Sequence, residues 1–169
     1  MSHLMHNHIV RILTVIIDRA IKIIDADSIR NGTVKIAYKC DYVVCSKVFA
    51  EEYTQMKIDA SNIDTVIKAY DELSKIFKNV IITLEKYGSF SKIDGNYKLV
   101  PSIKVQSKDS TGAGDIYHAS FTYSVINKFD LEKAMYFSNI AAALSIQKIG
   151  VKNSLPELEA VERIYNATI

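Results

Sequence analysis

The sequence predicts an α/β fold: short buried strands alternating with amphipathic helices around a largely parallel sheet. Three features predict it. Compact apolar runs of strand length occur at Ile21 to Ile24, Tyr42 to Cys45 and Val80 to Leu84. Segments with apolar residues at helical spacing lie between and after them. Turn signals at Asn31-Gly32 and Asp94-Gly95-Asn96 separate segments of the two kinds. Strands alternating with helices are the pattern of a layered α/β domain.

Met1 to His8 is polar and reads as a flexible tail, and residues 9–169 read as one domain. His3, His6 and His8 lie close together, but a metal site needs ligands held rigidly by a second shell, which a tail does not supply. Ile9 to Ala20 has helical spacing, and the strand at Ile21 to Ile24 ends at Asp25-Ala26-Asp27. A short helix is expected from Val48 to Tyr53. Ser61 can cap the next one, whose apolar face holds Ile63, Val66, Ile67, Tyr70, Leu73 and Phe77. Ser89 to Ile93 and Tyr97 to Val100 flank the hairpin turn.

Three helices close the chain. The first runs from near Gly112 to about Asn127. Asp130 can cap the second, which turns Leu131, Ala134, Met135, Ser138, Ala141, Ala142, Ser145 and Ile149 inward and stops at Gly150. Ser154 and Glu157 have capping-box spacing for the third, with Pro156 in its first turn and Leu158, Val161 and Ile164 as its buried stripe.

Composition narrows the function. The 169 residues are 49% apolar and 24% charged, the profile of an ordinary globular protein, and the formal net charge of +2 argues against a nucleic-acid partner. The longest apolar runs are far shorter than a membrane span, and no secretory signal is read in Met1 to Asn7. Two cysteines, Cys40 and Cys45, make no disulfide framework and read as core or strand-end residues. The expected setting is the cytoplasm.

The sharpest signal is Asp109-Ser110-Thr111-Gly112-Ala113-Gly114-Asp115, leading into a helix. Small residues let backbone approach a ligand. A helix that starts there aims unpaired N–H groups and its positive dipole end at whatever lies in front. Asp115, in the first turn, can accept a proton from an attacking hydroxyl. An anion hole beside a base is what phosphoryl transfer most needs. The spacing is not that of a P-loop, because Gly112 is not followed by Lys and Ser/Thr, and it lacks the third glycine of a dinucleotide fingerprint. His118 lies one turn after Asp115, but a catalytic triad also needs a nucleophile that nothing in the sequence locates, so it reads as a packed or surface histidine.

Asp109 to Phe121 resembles the second signature of the ribokinase-like (PfkB) carbohydrate kinases, an Asp-Thr-Thr-Gly-Ala-Gly-Asp run entering a helix. Ser138 to Pro156 resembles the helix and adenine-side loop of that family. Thr83 to Gly88, with Ser89 and Phe90, resembles its nucleotide-side strand and loop. The resemblance covers about Ala20 to the C terminus. It implies a three-layer, Rossmann-like ribokinase fold and transfer of the γ-phosphate of ATP to a hydroxyl of a sugar or nucleoside. Asp115 would be the base, and Gly112, Ala113 and Gly114 the anion hole. Thr83, Leu84, Glu85, Lys86, Tyr87, Gly88 and Gly114 would line the nucleotide, with Asn139 against the adenine. Asp109, Thr111, Ser145, Gly150 and Ser154 match the positions around a monovalent cation such as K⁺, while Mg²⁺ would arrive mainly on the ATP phosphates.

Three departures from the family pattern stand out. Glu85 occupies the place of the first glycine in the TLGxxG loop. Ser46-Lys47-Val48-Phe49 replaces an Asn-x-x-Glu motif and has no carboxylate. The sugar-binding half and lid of full-length members would precede Met1, which leaves three readings open. The chain is the nucleotide-binding part of a kinase, a non-catalytic nucleotide-binding relative, or one half of a split kinase completed by a separate N-terminal half. A homodimer is the other assembly the family suggests.

Overall fold

Branched apolar side chains pack well on a pleated surface, so runs rich in Val and Ile favour strands. The computed structural model describes residues 20–30 and 32–168. Three such runs form the parallel part of its sheet: β1 (Ile23–Ala26), β2 (Tyr42–Ser46) and β3 (Val80–Thr83). β4 (Ser89–Ile93) and β5 (Asn96–Val100) continue the sheet antiparallel, and the five strands lie in sequence order. The sheet is therefore mixed rather than largely parallel. The reason is connection length. Only Leu84 to Gly88 separates β3 from β4, and Asp94-Gly95 separates β4 from β5. A parallel neighbour needs a crossover of a dozen or more residues, so both strands must reverse. Asp94 (φ 49°) and Gly95 (φ 81°) both take the left-handed conformation that matches the twist of a two-residue hairpin.

Strands β2 and β3 are covered on both faces. Val43, Cys45, Val80 and Ile82 belong to one core, under α1 (Thr33–Ala37), α2 (Lys47–Thr54) and α3 (Ile63–Ser74). Val44 and Ile81 point the other way, into a core under α4 (Ala113–Ile126) and α5 (Leu131–Ser145). Double burial explains why these strands read as continuous apolar runs rather than alternating ones. Three layers result: helices, sheet, helices. α6 (Val151–Ser154) is a single turn, and α7 (Leu158–Thr168) docks on α5 through Val161 and Tyr165, which join Phe137 and Ile140 in a third cluster. Among the described residues no helix is long and apolar enough to cross a membrane.

Several boundaries differ from the sequence reading. Asn62, not Ser61, caps α3: its Oδ1 accepts from the Asp64 N–H at 3.2 Å, while the Ser61 hydroxyl donates to Asp59 at 2.6 Å. Ile63 at the start of α3 is 39% exposed, because the first turn overhangs the core. Asp130 caps α5 as expected, accepting from the Lys133 N–H at 2.9 Å. That helix ends at Ser145 rather than Gly150, and Ile149 is 72% exposed beyond it. Gly150 (φ 82°) instead starts α6. Ser154 closes α6, so α7 begins at Leu158 and Pro156 precedes it. The buried stripe of α7 is Val161 and Tyr165, with Ile164 half-buried; Leu158 faces outward. The tail Met1 to His8, the helix expected over Ile9 to Ala20 (but for Ala20) and Asn31 lie outside the described residues.

Leu73 is fully buried where α3 meets the first core. Leu73→Ala leaves a cavity there and lowers unfolding free energy by about 2–5 kcal/mol. Asp130→Ala removes only a cap and costs about 1 kcal/mol. Urea unfolding followed by far-UV circular dichroism measures both, and the core variant must be the more damaging.

Candidate active site

In open α/β sheets the ligand crevice lies beyond the carboxyl ends of the parallel strands. Here β3 delivers Thr83 to that edge, where its hydroxyl donates to the Cys45 carbonyl at 3.3 Å. The chain then closes a tight loop. The Leu84 N–H donates to the Gly88 carbonyl at 2.7 Å, and a 3₁₀ turn, Glu85–Tyr87, fills the space between. Leu84 turns into the core, 1% exposed, and anchors the loop rather than facing the cleft. Gly88 has φ 105°, and a Cβ added there would lie 2.1 Å from the Val100 carbonyl oxygen and 2.7 Å from the Ser102 nitrogen. Only glycine permits so close a backbone approach.

The opposite wall is α5. Asn139 is buried, and its Nδ2 donates to the Val100 carbonyl at 2.9 Å and to the Pro101 carbonyl at 3.4 Å. Its amide donors are thus committed to the backbone that leaves β5. Between the walls lies a cleft of about 1140 Å³. Thr83, Glu85, Lys86, Tyr87 and Gly88 line one side; Asn139, Ala142, Ala143 and Ile146 line the other. The irregular segment after β5 contributes Ser102, Ile103, Lys104 and Val105, and Tyr117 also lines the cleft. The volume suits a ligand of nucleotide size or larger. Lys86 reaches over the ring of Tyr87, with Nζ 5.3 Å from its centroid.

The amino end of α4 opens on this cleft through Ala113 and Gly114. Gly112 takes φ 81° at the cap position, with no side-chain cap. Ala113 donates to the Ser110 carbonyl at 3.2 Å, and Ile116 closes the first turn on the Gly112 carbonyl at 3.0 Å. The N–H groups of Gly114 and Asp115, between them, have no backbone partner among the described residues. They are free to hold an anion, with the helix dipole behind them. Asp115 is exposed in the same turn but does not line the cleft itself.

Asp109 gathers part of the expected cation set. Its Oδ1 accepts from the Thr111 N–H at 3.0 Å and its Oδ2 from the Gly150 N–H at 3.1 Å. The Lys108 and Asp109 N–H groups donate to the Ile146 carbonyl at 2.7 and 3.2 Å, which ties this segment to the end of α5. Hydrogen bonds from Thr111, then from Gly150, hold the Asp109 carboxyl below its ordinary value of 3.8. Ser145 is buried with its hydroxyl on the Ala142 carbonyl at 2.8 Å, and Ser154 is buried at the end of α6. Asp109, Thr111 and Gly150 therefore form one hydrogen-bonded knot, while the Ser145 hydroxyl points back along its own helix. Among the described residues no three His, Cys, Asp or Glu side chains cluster as metal ligands.

His118 pairs with Asp25 at 3.0 Å, linking α4 to the end of β1. Ser46 caps α2, accepting from the Phe49 N–H at 3.0 Å, and Phe49 is a fully buried core residue. Cys40 and Cys45 are buried, and burial raises both thiols. Sequence reasoning missed Ser102 to Val105 and Tyr117 as cleft residues. The Ile103/Val105 alternation after Pro101 was the available signal, but it could not say which face of an irregular segment would meet α5.

A family model described as "pfkB family carbohydrate kinase" matches residues 5–158. The chain belongs to the pfkB family of carbohydrate kinases. This pfkB chain is 29% identical to deoxyribokinase of Salmonella typhi over 135 residues, which is 79% of the chain and 44% of that protein. Its fold superposes on ribokinase from Thermotoga maritima with a TM-score of 0.70 and 26% identity, covering 85% of the chain and 48% of that structure. The ribokinase of Arabidopsis thaliana, solved with ribose and ATP, gives a TM-score of 0.72 at 23% identity, covering 85% of the chain and 46% of that structure. The pfkB chain thus spans about half the length of these relatives.

Two expectations follow. Gly88→Ala forces a methyl group into the Val100 carbonyl, and the backbone must move. Stability falls by about 2–3 kcal/mol, read by urea unfolding, and any ligand of the cleft binds more weakly. Asp109→Asn tests the knot. A carboxyl whose folded value lies below its unfolded one stabilises the fold fully above the unfolded value and loses that contribution as pH falls through the folded value. The wild-type advantage in melting temperature is therefore widest near neutrality and narrows below pH 3.8.

Proposed function

We propose that the chain carries the nucleotide-binding and proton-accepting part of an ATP-dependent kinase acting on a hydroxyl of a sugar or nucleoside. The observation that carries this reading is the amino end of α4. At the cleft wall the N–H of Gly114 has no backbone partner among the described residues, the unpaired N–H of Asp115 follows it in the same turn, and the Asp115 side chain adds a carboxylate there. The adenine would lie toward Asn139, Ala142 and Ile146, on the more apolar wall. The ribose and phosphates would follow the Thr83 to Gly88 loop toward Gly112, Ala113 and Gly114. Mg²⁺ would come bound to the phosphates, as it does when it is held by one or two protein ligands plus substrate phosphates.

The reaction follows from these positions. The acceptor hydroxyl attacks the γ-phosphorus, its O–P bond forms, and the bond to the β-phosphate oxygen breaks to release ADP. The hydroxyl proton passes to the Asp115 carboxylate. Backbone N–H groups of α4 stabilise the charge on the phosphoryl oxygens in flight, and because they are fixed in the helix they need no reorganisation. The Asp109 knot fixes the approach to α4. A monovalent cation such as K⁺ held by Asp109 and neighbouring carbonyls would supply positive charge beside the anion hole. Because the chain spans about half the length of its relatives, the grip on the sugar's other hydroxyls is assigned to the remaining half of that fold.

Asp115→Asn keeps shape and removes the proton acceptor. In an ADP-release assay over pentoses, hexoses and nucleosides, with the sugar-binding half present, turnover falls by about 10²–10⁴-fold. Calorimetric titration shows ADP affinity little changed. An Asp115→Asn protein as active as the wild type rules out the base assignment. Absence of ADP binding to the folded wild-type chain rules out the nucleotide site.

A further inference from the structure

Glu85 is out of place in the cleft for two independent reasons. The first is conformational. Five described residues other than glycine have positive φ: Gln55, Asn79, Glu85, Asp94 and Lys128. Asn79 and Asp94 are of the types that tolerate the left-handed region, and Gln55 and Lys128 lie at or just past helix ends, where such turns terminate a helix. Glu85 (φ 53°) belongs to neither class. It opens a 3₁₀ turn, and it alone of the five lines the cleft. The second reason is electrostatic. Glu85 is the only acidic side chain among the described residues that line the cleft, and its exposed carboxylate has no hydrogen bond or ion pair there. Lys86, next in sequence, is turned over Tyr87, and Lys104 across the cleft makes no ion pair with it.

An unpaired carboxylate beside a polyphosphate track raises the energy of any bound anion. The penalty depends on the charge the ligand brings. A free nucleoside diphosphate or triphosphate carries three or four negative charges. Its divalent-cation complex carries two fewer, and presents a cation that a carboxylate attracts directly or through bound water. Strained residues persist where the surrounding structure holds them and cluster at ligand clamps.

We propose that Glu85 is a specificity-determining residue that makes the cleft select the divalent-cation complex of a nucleoside polyphosphate over the free polyphosphate. This rests on the nucleotide reading of the cleft given above. Glu85 touches no reacting atom. It acts through charge on which form of the ligand enters.

The test is calorimetric titration of ADP into the 169-residue chain, once with excess MgCl₂ and once with EDTA, for wild type, Glu85→Gln and Glu85→Gly. In the wild type, removing Mg²⁺ weakens ADP by about tenfold or more. In Glu85→Gln the penalty shrinks at least about threefold, through tighter binding in the EDTA arm. Glu85→Gly gives the same smaller penalty and a higher melting temperature, because glycine takes φ 53° freely, which confirms that the variant is folded. An Mg²⁺ dependence equal in all three proteins overturns the role of Glu85 and leaves the nucleotide site standing. No ADP binding by any of the three, with or without Mg²⁺, overturns the nucleotide reading and this proposal with it.

Discussion

The carbonyl of Val100 is where the two walls of the cleft meet. On one side it lies so close to Gly88 that a Cβ there would reach within 2.1 Å. On the other it accepts the Asn139 amide at 2.9 Å. One backbone oxygen thus fixes the loop after β3 against the middle of α5. The loop closes on itself through the Leu84 and Gly88 backbone, and α5 is bound mainly to α4 and α7.

Charge divides the site along its length. The apolar wall of Ala142, Ala143 and Ile146 suits a flat uncharged ring. The amino end of α4 suits an anion, because its free N–H groups and dipole point outward. Two carboxylates flank that end. Asp115 sits exposed in the helix's own first turn. Asp109 is held ionised by backbone N–H groups of Thr111 and Gly150. Neither makes an ion pair with Lys86 or Lys104, the cations of the cleft.

The match to about half of each relative's length has a structural counterpart. The described residues contain strands covered on both faces and two separate cores, one on each side of the sheet. The residues that line the cleft all come from β3 onward. The family's acceptor chemistry needs in addition a surface that orients the sugar, and orientation accounts for much of the rate in such reactions.

The sequence by itself determined the class of the fold, the hairpin at Asp94-Gly95, the start of α4 and the segment Asp109 to Asp115. Each of these is a local matter: a buried run, a pair of left-handed turn residues, a cap, a small-residue entry to a helix. It also pointed to Thr83, Gly88, Gly114 and Asn139, which the tertiary structure brings into one cleft. What only the tertiary structure decided depends on contacts between distant residues. Leu84 goes to the core while its neighbours Thr83 and Glu85 face the cleft, since the strand ends there and its alternation gives way to a 3₁₀ turn. α5 stops at Ser145, five residues before the glycine expected to mark its end, because the Ile146 carbonyl is taken by Lys108 and Asp109 from 37 or more positions earlier in the chain. Such pairings leave no periodic trace in a sequence, because each depends on where a second segment comes to rest.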